Sequence, residues 1–303
     1  MRVTLTGATG LIGRRLIAAL QDRGDEVTVL SRDPSRAEQS LHGVRAVAWN
    51  PLTDPAPVSA LANADAVIHL AGEPVAQRWN TAVKERIRAS RASGTANLVA
   101  GLRDAVRRPR VLVSTSASGY YGDRGAEPLT ESATPGDDFL AEVCRAWEDA
   151  ATGAESLGLR VTRVRTGVVL TSDGGALKTM LPPFKAGVGG PVAGGRQYIP
   201  WIHLDDVVGI YLAALDGEGW SGPVNGCAPG AVTNKVFSHA LGHALHRPAV
   251  IPVPTFAIRA LYGQMAEIVT GGQRMIPERT LELGYAFKHP DLDEALRSAL
   301  GQD

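Results

Sequence analysis

The chain has 303 residues, of which 44% are hydrophobic and 20% are charged, and this composition excludes a disordered or fibrous protein. Its 31 basic and 31 acidic side chains give a formal charge of zero, which excludes a general attraction to nucleic acid or to acidic membranes. Two cysteines cannot form a disulfide framework, and the sequence shows no signal-peptide core and no spanning apolar run, so we expect a cytoplasmic protein.

The first 170 residues alternate short apolar runs with helix-like segments. Strands are predicted at residues 2–6, 26–30, 44–49, 66–71, 110–115 and 160–165. Long helices are predicted at residues 11–23, 81–106 and 139–157. Strands that alternate with helices indicate βαβ units with right-handed crossovers. The sequence therefore predicts an α/β protein of the Rossmann type, with a doubly wound parallel sheet.

The pattern changes beyond residue 170. Residues 174–195 are rich in glycine and include three prolines, so we expect a loop there. Helices are predicted at residues 207–215, 236–245, 256–269 and 278–283, and a short strand is predicted at residues 250–253. We expect a nucleotide-binding domain over residues 1–170 and a smaller, interleaved lobe over residues 171–303 that contributes to the sheet. His239, His243 and His246 share a helix face but have no partner at ligand spacing, so no metal site is expected.

The segment TGATGLIG, residues 6–13, lies between the first predicted strand and the first predicted helix. Glycines there allow the backbone to approach a pyrophosphate, and the helix N-terminus presents unpaired N–H groups and partial positive charge. The spacing is GxxGxxG rather than GxGxxG, and a tight turn without a ligand is the alternative interpretation. The residues expected to bind a dinucleotide are Gly7, Thr9, Gly10, Leu11, Ile12 and Gly13.

The end of the second predicted strand indicates which dinucleotide is bound. A carboxylate there would hold the ribose 2′-hydroxyl of NAD, whereas an arginine accommodates the 2′-phosphate of NADP. The strand ends in Ser31 and Arg32, a hydroxyl and a guanidinium that suit a phosphate, and we therefore predict NADP(H). Asp33 follows directly and argues for NAD, while a solvated loop position is the other interpretation of Arg32.

Several different short motifs are distributed along almost the whole chain. They lie at residues 6–13, 69–72, 114–116, 120–122 and 200–206, and they resemble those of the extended short-chain dehydrogenase/reductase superfamily. A further set at residues 71–74, 78–79, 189–191, 225–229, 271–277 and 284–292 resembles its atypical epimerase-like branch, often labelled sugar-nucleotide epimerase or cell-division-inhibitor-like. Members of that branch end in a small C-terminal domain of unknown function.

The resemblance implies further site residues. Ala71, Gly72 and Glu73 would line the nucleotide crevice, and Arg78 would reach a phosphate or a ribose of the cofactor. For Glu73 and Arg78, a surface ion pair or a helix cap is the alternative. Thr115 belongs to the motif after the fifth strand and is also expected at the cofactor.

The superfamily's catalytic pattern is incomplete in this chain. The resemblance implies a Ser or Thr, a Tyr that exchanges the proton at the substrate oxygen, and a Lys four residues after that Tyr. None of the six tyrosines has a lysine four residues later. Alignment of the helix at residues 139–157 places Leu140 and Cys144 at the Tyr and Lys positions, and Cys144 is interpreted as a small buried residue.

Ser116 is the best match for the catalytic serine, and Tyr121 or Tyr120 is predicted to replace the missing acid, with Tyr121 preferred. Both tyrosines follow the fifth strand at the carboxyl edge of the sheet, where ligands bind in open α/β folds, although packing alone would also account for them.

We therefore expect an NADP(H)-binding, epimerase-like oxidoreductase that acts on a small carbonyl, alcohol or sugar-like substrate, as a monomer or homodimer without nucleic acid or membrane partners. One alternative is a non-catalytic NADPH sensor. The other is a nucleotide-sugar epimerase, for which Arg165, Arg196 and Asn225 are candidate diphosphate ligands.

Overall fold

The computed structural model describes residues 1–302. Its strands are β1 (Arg2–Thr6), β2 (Glu26–Ser31), β3 (Arg45–Ala48), β4 (Ala66–His69), β5 (Val111–Ala117), β6 (Pro128–Leu129), β7 (Arg160–Thr166), β8 (Val168–Leu170), β9 (Tyr198–Ile199), β10 (Trp201–His203), β11 (Gly222–Gly226), β12 (Val232–Thr233) and β13 (Arg274–Met275). Seven of them form a parallel sheet in the order β11-β7-β5-β4-β1-β2-β3. The predicted α/β class and doubly wound parallel sheet are confirmed.

The helices lie between the strands and on both faces of the sheet. They are α1 (Leu11–Asp22), α2 (Pro34–Ser40), α3 (Val58–Leu61), α4 (Thr81–Asp104), α5 (Phe139–Thr152), α6 (Gly175–Lys185), α7 (Leu204–Asp216), α8 (Asn234–Ala244), α9 (Thr255–Tyr262), α10 (Ala266–Thr270), α11 (Glu278–Glu282) and α12 (Leu292–Ala299). Within residues 1–302, no helix combines the length and the apolar character needed to cross a membrane.

Alternating residues of the central strands supply two separate hydrophobic cores. In β4, Ile68 faces the core formed with α1 and α7, whereas Val67 faces the core formed with α4 and α5. Strand β5 repeats this division, with Val113 on the first side and Leu112 on the second. Because both faces are covered by helices, each strand begins with a run of three apolar residues, Ala66–Ile68 in β4 and Val111–Val113 in β5, as expected for a parallel sheet.

The C-terminal part of the chain contributes to the main sheet. Strand β11 pairs in parallel with β7 along its whole length and forms one edge. Helices α6, α8 and α12 enclose a third core that includes Phe184, Phe237 and Leu296. Because β11 extends the sheet of the first 170 residues, the two parts share one architecture. The boundary at residue 170 stays a prediction.

Two expectations for this lobe were wrong. Residues 175–185 form α6 rather than a loop, because Leu177, Leu181 and Phe184 recur at helical spacing and are buried together. Pro182 and Pro183 both lie in the last turn of that helix, and each removes one backbone donor there. The predicted strand at residues 250–253 is only an isolated bridge at Val253, since the alternating prolines in this segment cannot donate to a ladder.

Candidate dinucleotide-binding and active site

The glycine turn joins β1 to α1 in a conformation that requires glycine. Gly7 has φ +68°, and a Cβ there would lie 2.7 Å from the carbonyl carbon of Leu70. A Cβ on Gly13 would lie 2.6 Å from the Gly7 oxygen, so the first helical turn packs directly on the strand end. Gly10 is the N-cap of α1 and provides no side-chain cap, which leaves the N-terminal amides available to an anion. The glycine turn and the free amides at the start of α1 form what we call the anion seat, which has the geometry that a pyrophosphate requires.

A cavity of about 370 Å³ opens in front of this turn. Its walls combine the turn, the ends of β4 and β5 and the start of α6, and its lining residues are Gly7, Gly10, Leu11, Ile12, Gly13, Leu70, Thr115, Val168, Val169, Gly175 and Ala176. Thr9 belongs to the same turn and is exposed, with its carbonyl accepting from Arg14 Nε at 3.0 Å. The structure thus brings together the turn residues and Thr115, which the sequence predicted to act on one cofactor.

A buried polar network fixes the strand ends around the turn. The Thr6 hydroxyl accepts from the amides of Leu70 and Ala71 at 3.1 and 3.2 Å, and so it donates its proton to His69 Nδ1 at 2.7 Å. His69 Nε2 then donates to the Thr95 hydroxyl of α4 at 2.9 Å. Burial lowers the pKa of His69 to about 4, so the imidazole is neutral at physiological pH. The side chains of Thr6, His69 and Thr95 are therefore linked in one chain of hydrogen bonds.

A second cavity, of about 460 Å³, lies at the carboxyl ends of β2 and β3 and is lined by Arg32, Ala48, Trp49, Asn50, Asp54, Pro55 and Pro57. Arg32 is exposed and makes no hydrogen bond or ion pair within residues 1–302. The Ser31 hydroxyl accepts from the Asp33 amide at 3.1 Å, while the Asp33 carboxylate accepts from the Arg36 amide and caps α2. The Asp33 carboxylate, which favoured NAD in the sequence, therefore has a structural role as a helix cap, and the Arg32 guanidinium remains available to a ligand.

The segment after β4 leads from Leu70, which lines the first cavity, to the start of α4. The Glu73 carboxylate lies 3.6 Å from Arg86 Nε and accepts from Gln77 at 3.2 Å, which is the surface pairing considered as its alternative role. Arg78 is exposed and its side chain lies against Gly263 of the C-terminal lobe. Ala71 and Gly72 continue directly from the cavity wall at Leu70. Their contacts with a cofactor stay predictions.

The predicted catalytic serine is fully buried in an internal ion-pair network. Ser116 donates to Glu148 Oε1 of α5 at 2.7 Å. Glu148 in turn accepts from Arg165 Nε and Nη2 at 2.8 and 2.9 Å in a bidentate pair. Only 3% of the Arg165 side chain and 6% of the Glu148 side chain are exposed. The Ser116 hydroxyl is therefore held toward α5.

Tyr121, the preferred proton donor in the sequence analysis, belongs to the same network. Its hydroxyl accepts from Arg165 Nη1 at 2.9 Å and lies 2.7 Å from Asn225 Oδ1, and the whole residue is inaccessible to solvent. Burial raises the pKa of Tyr121 well above its usual range. Arg165 and Asn225, two of the three diphosphate ligands considered for an epimerase, are therefore used inside the protein. The catalytic role of Tyr121 stays a prediction, but its hydroxyl is closed to the crevice.

Tyr120 differs from its neighbour in both burial and hydrogen bonding. It is half-buried, and its hydroxyl makes no hydrogen bond within residues 1–302. The Arg165 guanidinium stacks on its ring at 3.5 Å, and the Tyr121 ring packs edge-on at 5.3 Å. These contacts hold the Tyr120 ring in place while leaving its hydroxyl available.

Helix α5 presents no proton-transfer group at the place of the missing pair. Leu140 and Cys144 both face Gly119, which follows β5. Burial raises the pKa of the Cys144 thiol to about 12, so it stays protonated, in agreement with its interpretation as a small buried residue.

Sequence reasoning missed two polar groups near the crevice. Tyr211 of α7 is fully buried and hydrogen-bonded to the Thr115 hydroxyl. Arg91 of α4 lies beside Gly72. Arg91 lies among many polar residues of α4 that are typical of a solvated face, so the sequence offered little signal for it. Tyr211 is an isolated tyrosine in the otherwise apolar pattern of α7, and this was the available signal for it.

Comparison with known proteins gives matches over the whole chain. Residues 3–224 match the NAD dependent epimerase/dehydratase family, and residues 253–299 match a domain of unknown function, DUF1731. An epimerase family protein SDR39U1 homolog, chloroplastic, from Arabidopsis thaliana is 40% identical over 302 residues, covering 99% of this chain and 87% of the relative.

Two solved structures are also similar. The crystal structure of human epimerase family protein SDR39U1 (isoform 2) with NADPH superposes with a TM-score of 0.89 and 35% identity, covering 99% of both chains. A nucleoside-diphosphate sugar epimerase from Corynebacterium glutamicum gives a TM-score of 0.78 and 37% identity, covering 99% of this chain and 58% of the other. The chain belongs to the NAD dependent epimerase/dehydratase family, carries a segment that matches DUF1731, and resembles epimerase family proteins of the SDR39U1 type.

Proposed function

We propose that this protein is an NADPH-binding, epimerase-like oxidoreductase that acts on a small carbonyl, alcohol or sugar-like substrate. The observation that carries the proposal is the pairing of two features on one sheet edge: an anion seat at the glycine turn, and an unpaired Arg32 in the cavity beyond β2. The human relative, which is 35% identical and was solved with NADPH, supports the same cofactor.

When bound, the nicotinamide supplies or accepts a hydride at the substrate carbon. The chain must then provide a group that exchanges a proton with the substrate oxygen. Of the three predicted catalytic residues, we assign this role to Tyr120, because its hydroxyl is free whereas those of Ser116 and Tyr121 are buried and hydrogen-bonded. Arg165 holds the Tyr120 ring through its guanidinium, and Glu148 holds Arg165.

The proposal is tested by turnover of NADPH with a panel of aldehydes, ketones and nucleotide sugars. Tyr120→Phe removes the hydroxyl and keeps the ring on Arg165, so we expect unchanged NADPH affinity and a loss of turnover of about 10²-fold or more, the usual contribution of a general acid. Tyr121→Phe is the matched control, since it removes a buried hydroxyl that does not reach the crevice. Equal turnover of Tyr120→Phe and the wild type would refute the assignment.

A non-catalytic NADPH sensor is the second candidate. The observation in its favour is that α5 carries Leu140 and a protonated Cys144 where the superfamily has its reactive pair. Tight NADPH binding without turnover across the whole panel would support the sensor and refute the oxidoreductase. A nucleotide-sugar epimerase is less favoured, because the internal bonds of Arg165 and Asn225 leave only Arg196 of its three candidate ligands exposed.

A further inference from the structure

Arg91 is a partly buried cation whose guanidinium lies beside Gly72. It lies on α4, and Nη1 donates to the carbonyls of Glu73 and Ile87 at 2.9 and 3.3 Å. Within residues 1–302, no carboxylate lies within ion-pair distance of its guanidinium. Arg91 is partly buried, and this burial lowers the pKa of its guanidinium from the usual value.

The surroundings of Arg91 hold the guanidinium in place without satisfying its charge. One side faces the Trp147 ring at 4.9 Å. Of the acidic side chains nearby, Glu148 pairs with Arg165 and Glu142 with Arg88, whereas Glu73 attracts Arg91 electrostatically but pairs with Arg86. A partly desolvated charge that forms no ion pair costs free energy, and two carbonyl acceptors and the Trp147 ring recover only part of it. An anionic ligand would recover it.

The guanidinium packs against Gly72, two residues beyond Leu70 of the cavity wall. A Cβ on Gly72 would lie only 3.1 Å from Arg91 Cζ and 3.2 Å from Nη2, so the absence of a side chain at this position lets the arginine reach the backbone. On its other side this segment continues from Leu70 and Ala71, against which Gly7 of the glycine turn packs. Arg91 is therefore separated from the anion seat by one short stretch of backbone.

The remaining hydrogen-bond donors of Arg91 are open. Nε and Nη2 make no hydrogen bond within residues 1–302. Together they form the planar fork that binds two oxygens of a carboxylate or a phosphate. A lysine at this position would offer a point charge without that geometry.

We infer that Arg91 binds an oxyanion, a carboxylate or phosphate group of a ligand held beside Gly72. This inference rests on the proposed function, because it takes the crevice to be a dinucleotide site. The oxyanion has two sources, the bridging phosphates of the dinucleotide or an acidic group on the second substrate.

The experiment measures NADPH affinity by fluorescence titration for the wild type, Arg91→Met, Arg91→Lys and Arg88→Met. Arg88 lies on the same helix and pairs at the surface with Glu142, so its variant controls for the loss of a positive charge from α4. In a second arm, oxalate and inorganic phosphate are titrated calorimetrically into each protein, with and without saturating NADPH. Thermal unfolding verifies that each variant is folded. If Arg91→Met does not fold, Arg91→Lys still provides the test.

If the oxyanion belongs to the cofactor, Arg91→Met weakens NADPH binding by about 10- to 100-fold, Arg91→Lys by about tenfold, and Arg88→Met has no effect. If it belongs to the substrate, NADPH binding is unchanged and oxalate or phosphate binding is lost in the Arg91 variants. Unchanged affinity for all three ligands would overturn the inference. A wild type that binds no NADPH would refute the proposed function instead, while the titrations without NADPH still test Arg91.

Discussion

Replacing Arg32 with methionine tests the cofactor selectivity directly. The side chain lines the 460 Å³ cavity at the ends of β2 and β3 and has no partner within residues 1–302. Methionine keeps most of the length of the side chain and removes the charge, and no internal ion pair is broken. We therefore expect the folding stability to stay within about 0.5 kcal/mol of the wild type, as for most surface substitutions.

The size of the effect follows from the exposure of the arginine. Two unit charges about 4 Å apart interact by about 1 kcal/mol in bulk water and by about 4 kcal/mol at an effective dielectric constant of 20. Arg32 is exposed but faces a cavity, so an intermediate value of about 2 kcal/mol is expected. This free energy corresponds to an approximately 30-fold loss of NADPH affinity. NADH has no 2′-phosphate, and its affinity should not change.

The assay is isothermal titration calorimetry with NADPH and NADH at two salt concentrations. Because surface charges are screened by ions, NADPH affinity of the wild type should fall more steeply with salt than that of Arg32→Met. Arg36→Met is the matched control, since Arg36 is exposed on α2 but does not line the cavity. An equal loss for both coenzymes, or a wild type that prefers NADH, would refute the reasoning.

Four further outcomes are expected from the same structure. Gly7→Ala should lower the free energy of unfolding in urea by about 3 kcal/mol. Gly24 has a similar positive φ but no atom within 4 Å of the position that a methyl group would take, so Gly24→Ala should lower it by only about 1 kcal/mol, and equal losses would contradict a steric clash at Gly7. Glu148→Gln should lower stability by about 3–5 kcal/mol, because it leaves a buried guanidinium unpaired. The pKa of His69 falls from 6.5 in the unfolded chain to about 4 in the folded protein, so the free energy of unfolding should decrease as pH falls from 6.5 to 4. Between pH 7.5 and 4.5, urea titrations of His69→Gln should therefore show a decrease that is about 2–3 kcal/mol smaller than that of the wild type. Cys144 should resist iodoacetamide at pH 8 in the native protein and react after unfolding, since burial raises its pKa to about 12; rapid native labelling would contradict this.

The main sheet could be predicted because its signals are local. Buried strands such as β4 read as short apolar runs between turns, and the positions of six strands were correct to within a few residues. Strand β11 was missed because its sequence contains Gly222, Pro223 and Asn225, which have low strand propensity. Its pairing with β7 is a tertiary contact between residues about 60 apart, and no local pattern encodes it.

The site was predictable where function depends on the backbone, and less so where it depends on side-chain partners. Gly7 and Gly13 follow from steric rules that any such turn must satisfy. Sequence position could not distinguish Tyr120 from Tyr121, because adjacent residues differ only in which side they face. The full burial of Tyr121 and the partial burial of Tyr120 depend on Arg165 and Asn225, which lie on the distant strands β7 and β11.

The distribution of satisfied and unsatisfied polar groups indicates where chemistry can occur at this sheet edge. Ser116 and Tyr121 resemble catalytic residues in sequence, but each is buried and hydrogen-bonded within the protein, so using either one would break contacts that hold α5, β7 and β11 together. Arg32, Arg91 and Tyr120 keep open donors, and they lie directly after β2, beside the segment that follows β4, and directly after β5. Because folding already satisfies the first group, we expect binding and proton transfer to depend on the second group.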